Sequence, residues 1–207
     1  MMNQVNYQKQ LDQLLAVLQQ QTNIPTLLLH SCCAPCSSYV LEYLNPYFFI
    51  CVLYYNPNIS PKEEYEHRKA EQKRLIAQMP CEHPITLMDC DYAPEAFEAI
   101  AAGLEDLPEG GARSMSCYRL RLEAAARAAK AGNFDYFGTT LSISPLKSAR
   151  ALNQIGEELA QRYGVAHLPA DFKKREGYKR SIELSRKYGL YRQNYCGCIY
   201  SKPTPEQ

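Results

Sequence analysis

Two patterns of apolar residues alternate along the chain. Short runs in which nearly every residue is apolar, such as Thr26–His30, predict β-strands that are buried on both faces. Longer segments carry apolar residues at intervals of three and four, which predicts amphipathic α-helices. The predicted strands lie at 26–30, 48–55, 84–88, 136–143 and 165–168, and the predicted helices at 4–20, 35–44, 61–79, 93–104, 114–130, 153–163 and 178–188.

The alternation of strands with helices indicates the α/β class, with an open, mainly parallel sheet and helices on both faces. We expect one domain, 1–207, in which 1–22 forms an N-terminal helix and 172–207 a basic C-terminal segment. Ligands of such sheets bind at the carboxyl ends of the strands. Four predicted strands end in polar or thiol groups that should meet there: Cys32 and Cys33, Asn56 and Asn58, Asp89 and Asp91, and Ser142 and Ser144.

The formal net charge of +1 hides an uneven distribution. Residues 62–109 include twelve acidic and five basic side chains, a net charge of −7. Residues 172–192 include eight basic and two acidic side chains, a net charge of +6. The basic segment suits a polyanionic partner such as RNA, and a solvated helical surface is the alternative interpretation.

The chain carries nine cysteines but no sign of export. Residues 1–21 are polar and amphipathic, and no apolar run approaches membrane-spanning length. We therefore expect a soluble, cytoplasmic protein with no membrane partner. An odd number of clustered cysteines in that compartment argues against a disulfide framework and favours metal or redox chemistry.

Three cysteines stand where the first strand ends and a helix begins. Cys32, Cys33 and Cys36 form C-C-x-x-C, and Cys117 lies near the start of a later helix. Free amide groups at a helix start favour the thiolate, the form that binds metals. Adjacent cysteines fit a single tetrahedral zinc ion poorly, whereas an iron–sulfur cluster can bind them at different corners. These four cysteines are the candidate metal ligands.

The remaining cysteines differ in what they predict. Cys51 lies inside an apolar strand and is expected to be a core residue. Cys196 and Cys198 are separated by one glycine, so a disulfide between them would be strained and redox-active; a reduced pair or a metal site is the alternative. Beside them, residues 191–195 combine aromatic, cationic and amide groups, which are the types that bind unpaired bases.

With these residues assembled, the chain resembles the QueH-type epoxyqueuosine reductases along nearly its whole length. Six motifs in the same order carry the resemblance. They are His30-Ser-Cys-Cys-Ala-Pro-Cys36, Tyr55-Asn-Pro-Asn-Ile59 with Glu64-Tyr65, Cys117-Tyr-Arg-Leu-Arg121, Thr139-Thr-Leu-Ser-Ile-Ser-Pro145 with Lys147, Asp171-Phe-Lys-Lys174, and Tyr191-Arg-Gln-Asn-Tyr-Cys-Gly-Cys198.

The resemblance implies a Rossmann-like fold of the adenine nucleotide α-hydrolase kind and a [4Fe-4S] cluster, with room for an additional metal ion. It implies the last step of queuosine synthesis, the reduction of epoxyqueuosine at the wobble position of tRNA, with electrons from a separate donor. The family's cluster ligands match Cys32, Cys33 and Cys117, and its redox pair matches Cys196 and Cys198.

One position departs from the family pattern. Family members have C-x-x-C where this chain reads Ser114-Met-Ser-Cys117, so a serine stands at an expected ligand position. Either Cys36, an aspartate such as Asp91 or Asp171, or the serine hydroxyl completes the cluster, or the cluster is labile, or the serine is an engineered change. Removal of an epoxide oxygen also consumes two protons, for which an acid such as Asp171 or Tyr195 is a candidate catalytic residue.

Two other functions compete with this interpretation. The first is a metal-containing protein that binds RNA without catalysis. The second is an ATP-using thiolase or sulfurtransferase, because the implied fold often activates substrates with ATP. No Ser-Gly-Gly-x-Asp-Ser signature follows the first strand, and cysteines 32, 33 and 36 stand where a phosphate-binding loop would be expected.

Overall fold

The computed structural model describes residues 5–201. Residues 1–4, at the start of the predicted N-terminal helix, and 202–207, at the end of the predicted C-terminal segment, lie outside the described residues. None of the helices within 5–201 has the length and hydrophobicity needed to cross a bilayer. The strands are β1 (Thr26–His30), β2 (Phe49–Leu53), β3 (Thr86–Met88), β4 (Tyr136–Thr139) and β5 (Ala166–His167); the helices are α1 (Tyr7–Leu18), α2 (Ala34–Leu44), α3 (Lys62–Gln78), α4 (Glu95–Ala101), α5 (Ala112–Ala131), α6 (Ala149–Tyr163) and α7 (Gly177–Lys187), with 3₁₀ helices at Thr140–Ile143 and Ile199–Ser201.

All five strands run parallel, in the order β3-β2-β1-β4-β5. Central β1 places Leu28 beside Cys51 of β2 and Phe137 of β4. Strands β2 and β3 lie on one side of β1, and the strands that follow them in the sequence, β4 and β5, lie on the other side. Such a reversal leaves a crevice beyond the carboxyl ends of the two strands, where ligands bind in this architecture. The predicted open parallel sheet of the α/β class is confirmed.

Helices cover both faces of the sheet. Leu27 and Leu29 pack into one apolar cluster with residues of α1, α2 and α3, whereas Leu28 packs into a second cluster with α5 and α6. Successive side chains of a strand point to opposite faces, so a strand between two helical layers is apolar at every position. All three leucines are fully buried, and each burial stabilises the fold by roughly 1.5–3 kcal/mol.

The fourth strand is shorter than predicted. The sequence predicts strand over 136–143, but the strand ends at Thr139 and a 3₁₀ helix follows at Thr140–Ile143. The Thr139 hydroxyl accepts a hydrogen bond from the Leu141 N–H at 3.2 Å, which caps the new helix and ends the extended backbone. The 3₁₀ helix contacts α2, the helix that begins at the cysteines.

Other boundaries shift by a few residues. Helix α6 begins at Ala149 rather than 153, because the Ser148 hydroxyl accepts a hydrogen bond from the Ala151 N–H at 3.2 Å and caps the helix. Strands β3 and β5 lie at the sheet edges and are shorter than the predicted segments 84–88 and 165–168. Helix α4 is also shorter than the predicted 93–104.

After α7 the chain returns toward the start of α3. The Arg74 guanidinium donates hydrogen bonds to the carbonyls of Tyr188 and Gly189 at 2.9 and 3.0 Å. Further along, the Ser60 N–H donates to the Gly197 carbonyl at 2.9 Å. These contacts bring the Cys-Gly-Cys segment to the same end of the sheet as the cysteines that follow β1.

Candidate metal centre

Three cysteines converge where β1 passes into α2. Cys33 is the N-cap of α2 in extended conformation, and Cys36 follows in the first turn. The sulfur atoms of Cys32 and Cys33 are 3.8 Å apart. Within residues 5–201, Cys32, Cys33 and Cys36 form the only group of three or more potential metal-binding side chains whose ligand atoms all lie within 4.8 Å of one another. The predicted candidate ligands Cys32, Cys33 and Cys36 therefore lie together.

A buried histidine ties this corner to both neighbouring strands. The His30 Nε2 lies 3.1 Å from the Tyr55 carbonyl, and Nδ1 lies 2.9 Å from the Thr139 hydroxyl. A carbonyl can only accept, so Nε2 carries the proton and Nδ1 accepts from the hydroxyl. Burial, with a smaller contribution from the Arg121 charge, lowers the pKa of His30 to about 4. His30 is therefore a neutral structural link at neutral pH.

A second set of hydrogen bonds fixes the backbone around the thiols. The hydroxyls of Ser31 and Ser37 both donate to the Gln72 carboxamide oxygen, at 2.9 and 2.8 Å. The Asn56 amide donates to the Ser31 carbonyl at 2.8 Å. Because all four side chains are buried, these bonds hold the thiol-bearing turn in one geometry against α3 and the loop after β2.

The three thiols are electrostatically unequal. The pKa of Cys32 is held well below its usual value, chiefly because the thiols of Cys33 and Cys36 hydrogen-bond to its sulfur, although burial acts in the opposite direction. The pKa values of Cys33 and Cys36 are raised by the same hydrogen bonds to Cys32. Among the three thiols, Cys32 is therefore the one whose thiolate form is most favoured, and metal binding would release the protons that remain.

A buried arginine lies beside this group and has no carboxylate partner within residues 5–201. Arg121 is 1% exposed, and its Nε donates to the Cys117 carbonyl at 3.3 Å. Its two terminal nitrogens have no hydrogen-bond partner among the described residues. A buried, unpaired cation is costly unless an anionic group compensates it. Neighbouring thiolates, or a metal centre bound by thiolates, fit that requirement.

A cavity of about 440 Å³ opens at the carboxyl ends of β1 and β4. Cys32 and Cys36 form part of its wall, and the segment after β4 contributes Ser144 and Lys147. The first residues of α7 and the C-terminal segment close the other sides, with Tyr178, Arg192, Gln193, Tyr195 and Cys196. The volume falls within the usual range for a site that holds one small ligand.

A smaller cavity of about 20 Å³ adjoins the large one. Cys117, Cys196 and Cys198 line it together with Arg121 and Ser114. Four residues line both cavities, namely Glu109, Lys147, Cys196 and Ser201. Burial raises the pKa of Cys117 to about 11.

Comparison with known proteins identifies the family. Residues 27–204 match the family described as "Epoxyqueuosine reductase QueH". The chain belongs to this family. Epoxyqueuosine reductase QueH of Staphylococcus epidermidis is 40% identical over 201 residues, covering 95% of this chain and 84% of the relative. The Streptococcus pyogenes protein of the same name is 38% identical over 199 residues, covering 95% and 78%, and that of Thermotoga maritima is 32% identical over 179 residues, covering 85% and 90%.

The structure divides the predicted site residues of this QueH-family chain between two places. Cys32, Cys33 and Cys36 lie in one group on the wall of the large cavity, whereas Cys117 lines the small cavity with Cys196 and Cys198. All nine cysteines are free thiols, so the predicted disulfide between Cys196 and Cys198 is not present. Cys51 is half-buried and packs against the apolar cluster that Leu28 forms with α5 and α6, whereas Cys81 is exposed.

The predicted aspartates lie outside both cavities. Asp171 forms an ion pair with Lys173 at 2.7 Å and is not among the residues that line either cavity. Asp89 follows the edge strand β3 and forms ion pairs with Lys69 and Lys73 of α3 at 3.0 and 2.8 Å. The polar groups after β1, β2 and β4 therefore approach the crevice, and Asp89 turns away from it. Asp91 also lies outside the lining of both cavities.

Sequence reasoning assigns no role in the site to several residues, although two of them, Arg121 and Lys147, lie in the motifs that carry the family resemblance. Arg121 and Lys147 supply buried positive charge, and Glu109 supplies the acidic group that lies beside both cavities. The signal for Arg121 is its spacing from Cys117: four residues apart on a helix, the two side chains share one face. The signal for Lys147 is weaker, since a lysine in a polar turn is ordinarily solvated.

Proposed function

We propose that this protein reduces epoxyqueuosine in tRNA to queuosine, the last step of queuosine biosynthesis. Membership of the QueH family supports the reaction, because the relatives bear the name epoxyqueuosine reductase. The observation that carries the proposal is the position of three thiols, with sulfur atoms within 4.8 Å of one another, beside a cavity of about 440 Å³. A redox centre and a nucleoside would meet there.

We propose that Cys32, Cys33 and Cys36, with Cys117 or Ser114 from α5, hold an iron–sulfur cluster of the [4Fe-4S] type. The clustered sulfur atoms fit an anionic, thiolate-bound group, and so do the two terminal nitrogens of Arg121, which have no hydrogen-bond partner in the described part of the chain. When bound, such a cluster supplies electrons at low potential, which amino-acid side chains do not provide. A separate protein or small molecule would deliver those electrons.

The reaction converts the epoxide to an alkene with two electrons and two protons, and it releases one water molecule. Tyr195 is the favoured proton donor, because it lines the large cavity and Asp171 does not. Burial and then the charge of Glu64 raise the pKa of Tyr195, so its hydroxyl stays protonated at neutral pH. That hydroxyl donates to the Ser60 carbonyl at 3.3 Å, which holds it at the cavity wall.

Cys196 and Cys198 remain the proposed redox pair. Both are thiols in the structure, and Cys196 lines the large cavity. Two thiols can release two electrons and two protons, which matches the demand of one turnover. Replacement of both by alanine is expected to abolish repeated turnover.

The tRNA would approach from the side of α7. Tyr178 is 39% exposed at the mouth of the large cavity, and Tyr191 is 37% exposed on the segment that closes it. Exposed aromatic rings near basic residues suit unpaired bases next to the target nucleotide. The reductase names of the relatives do not favour the alternative of an RNA-binding protein without catalysis.

The test combines metal analysis with a tRNA assay. Protein purified without oxygen is expected to contain iron and acid-labile sulfide and to lose both when Cys32 is replaced by serine. Incubated with a chemical reductant and tRNA that contains epoxyqueuosine, it is expected to yield queuosine on mass analysis of the digested tRNA. Iron-loaded protein that leaves epoxyqueuosine unchanged in this assay would contradict the proposal.

A further inference from the structure

The ammonium group of Lys147 lies between the two cavities, in contact with one sulfur of the Cys-Gly-Cys segment. Lys147 Nζ donates to the Cys196 sulfur at 3.2 Å. The lysine is only 8% exposed, and Glu109 is its ion-pair partner at 3.6 Å. A nearly buried ammonium that makes its shorter contact with a sulfur rather than with a carboxylate favours the thiolate form of that sulfur.

The two cysteines of the segment have different surroundings. Cys196 is partly exposed and lines both cavities, whereas Cys198 is buried and lines only the small one. The Cys198 sulfur lies 3.4 Å from the Ser201 hydroxyl, a neutral group. An incoming reagent in the large cavity therefore meets Cys196 first.

The backbone between the two cysteines fixes this asymmetry. Gly197 has a φ of +123°, and a Cβ there would lie 2.9 Å from Ile59 Cγ1. The Arg68 guanidinium donates to the Cys196 carbonyl at 3.3 Å, and the Gly197 carbonyl accepts from Ser60. Because the segment is anchored on both sides, Cys196 and Cys198 do not exchange places.

The charges around the Cys196 sulfur are predominantly positive. Among the residues that line the two cavities, the acidic side chain is Glu109, and the basic side chains are Arg113, Arg121, Lys147 and Arg192. Burial lowers the pKa of Lys147, but Cys196, Tyr118 and Cys32 together raise it, and the net shift is upward.

We propose that Lys147 holds Cys196 as the reactive thiolate of the Cys-Gly-Cys pair, so that Cys196 reacts before Cys198 with any electrophile that enters the large cavity. Lys147 is then a positioning residue, and Cys196 is the first sulfur to react. The importance of this order for catalysis rests on the proposed reductase function. The order itself is a property of the protein that can be measured without tRNA.

The test is site-resolved alkylation of the full-length protein, purified without oxygen and treated with iodoacetamide, which forms a thioether and releases iodide. Fragmentation of the peptide that carries both cysteines separates the label on Cys196 from that on Cys198, and exposed Cys81 is the internal standard. In the wild type, Cys196 is expected to react faster than both. Cys198 reacting first, or Cys196 reacting more slowly than Cys81, overturns the proposal without any variant.

Variants then isolate the role of the ammonium. Lys147→Met is expected to slow labelling of Cys196 by about tenfold, the low end of what a charge-assisted hydrogen bond contributes, and to leave Cys81 unchanged. Lys147→Arg is expected to restore most of the rate. Lys130→Met removes an equal charge on exposed α5 surface, roughly 20 Å along the helix from Cys117, and is expected to change nothing.

An unchanged Cys196 rate in Lys147→Met, or an equal change at Cys81, contradicts the proposal. The labelling result is independent of the tRNA assay. If labelling follows the expected order but epoxyqueuosine is not reduced, the proposed function fails and the thiolate assignment stands.

Discussion

Arg121 shows how one buried charge indicates what a site is built to hold. Its guanidinium is 1% exposed, donates only to the Cys117 carbonyl, and leaves two nitrogens without a partner among the described residues. Such a group destabilises a protein that lacks the matching anion and stabilises one that contains it. The destabilising effect of the Arg121 charge in metal-free protein and its stabilising effect in metal-loaded protein can therefore be measured separately.

Replacing Arg121 by methionine is expected to act in opposite directions on the two forms. In metal-free protein, the free energy of unfolding is expected to rise by about 1–4 kcal/mol, because an uncompensated buried charge is removed. In protein purified without oxygen, iron content is expected to fall. Denaturant unfolding and iron analysis measure the two effects. Arg119→Met, at an exposed position on the same helix, is the control, and a less stable metal-free Arg121→Met protein would contradict the argument.

His167 predicts a pH dependence of stability. Burial lowers its pKa from 6.5 to about 4, and its Nδ1 has no partner among the described residues. The neutral ring makes its full contribution to the free energy of unfolding above pH 6.5. This contribution is lost as the pH falls toward 4, because the unfolded chain binds the proton first. At pH 5 the loss amounts to about 2 kcal/mol.

Between pH 7 and pH 5, the free energy of unfolding is therefore expected to fall by about 2 kcal/mol less in His167→Leu than in the wild type. Unfolding free energies measured in denaturant at both pH values test this. His83→Leu is a suitable comparison, since the ring of His83 packs at a tilted angle against exposed Phe49. Equal pH dependence in the wild type and His167→Leu would show that His167 is not the titrating group.

At the scale of elements, helix α5 arranges three groups of the site along one face. Ser114, Cys117 and Arg121 are spaced by three and four residues, and all line the small cavity. The Ser114 hydroxyl accepts a hydrogen bond from the Gly110 N–H at 2.9 Å. A sulfur at that position would project from the same face as the Cys117 sulfur, one turn earlier.

Ser114→Cys is accordingly expected to increase iron retention. The substitution restores the C-x-x-C pattern that the family resemblance implies and adds a soft ligand beside the small cavity. The measurement is iron per chain after purification in air. Ser116→Cys makes the same chemical change at a position outside both cavities and is expected to have no effect. Equal iron content in Ser114→Cys and the wild type would exclude this position as a ligand site.

The elements that the sequence predicts correctly are those whose pattern depends on burial alone. Strand β1 is recognisable because Leu27, Leu28 and Leu29 face helices on both sides. The segment 140–143 is predicted wrongly because Leu141 and Ile143 alternate with polar residues as they would in a strand. The hydroxyl of Thr139 caps a 3₁₀ turn instead, a local hydrogen bond that alternation does not reveal.

At the scale of the whole molecule, local patterns predict one part of the site, and the path of the chain determines the rest. The Cys32, Cys33 and Cys36 group is predictable because five consecutive residues fix it at one strand end. The meeting of Cys117 with the Cys-Gly-Cys segment depends on the return of the chain past α3, which no local pattern encodes. The predicted role of Asp171 is weakened for a similar reason, since the pairing of its carboxylate with Lys173 is visible only in three dimensions.

Charge pairing also changes what the basic C-terminal segment predicts. Four of the eight cations within 172–192, at 173, 175, 179 and 180, form ion pairs with Asp171, Asp12, Glu176 and Glu42. Lys174 is exposed and has no ion pair among the described residues. Lys173 also donates to the Ser142 carbonyl at 3.3 Å, so its ammonium is already engaged. The two adjacent lysines should therefore contribute unequally to an RNA surface.

Lys174→Glu is expected to weaken tRNA binding several-fold at low salt without reducing iron content. Removing one lysine–phosphate interaction lowers the slope of log affinity against log salt by about 0.9 on double-stranded and about 0.7 on single-stranded nucleic acid. Fluorescence anisotropy with labelled tRNA between about 50 and 200 mM salt measures both quantities. Lys130→Glu, the same reversal on α5, is expected to behave as the wild type. If the two variants bind equally well, or affinity does not depend on salt, the side of α7 is not the surface that meets the tRNA backbone.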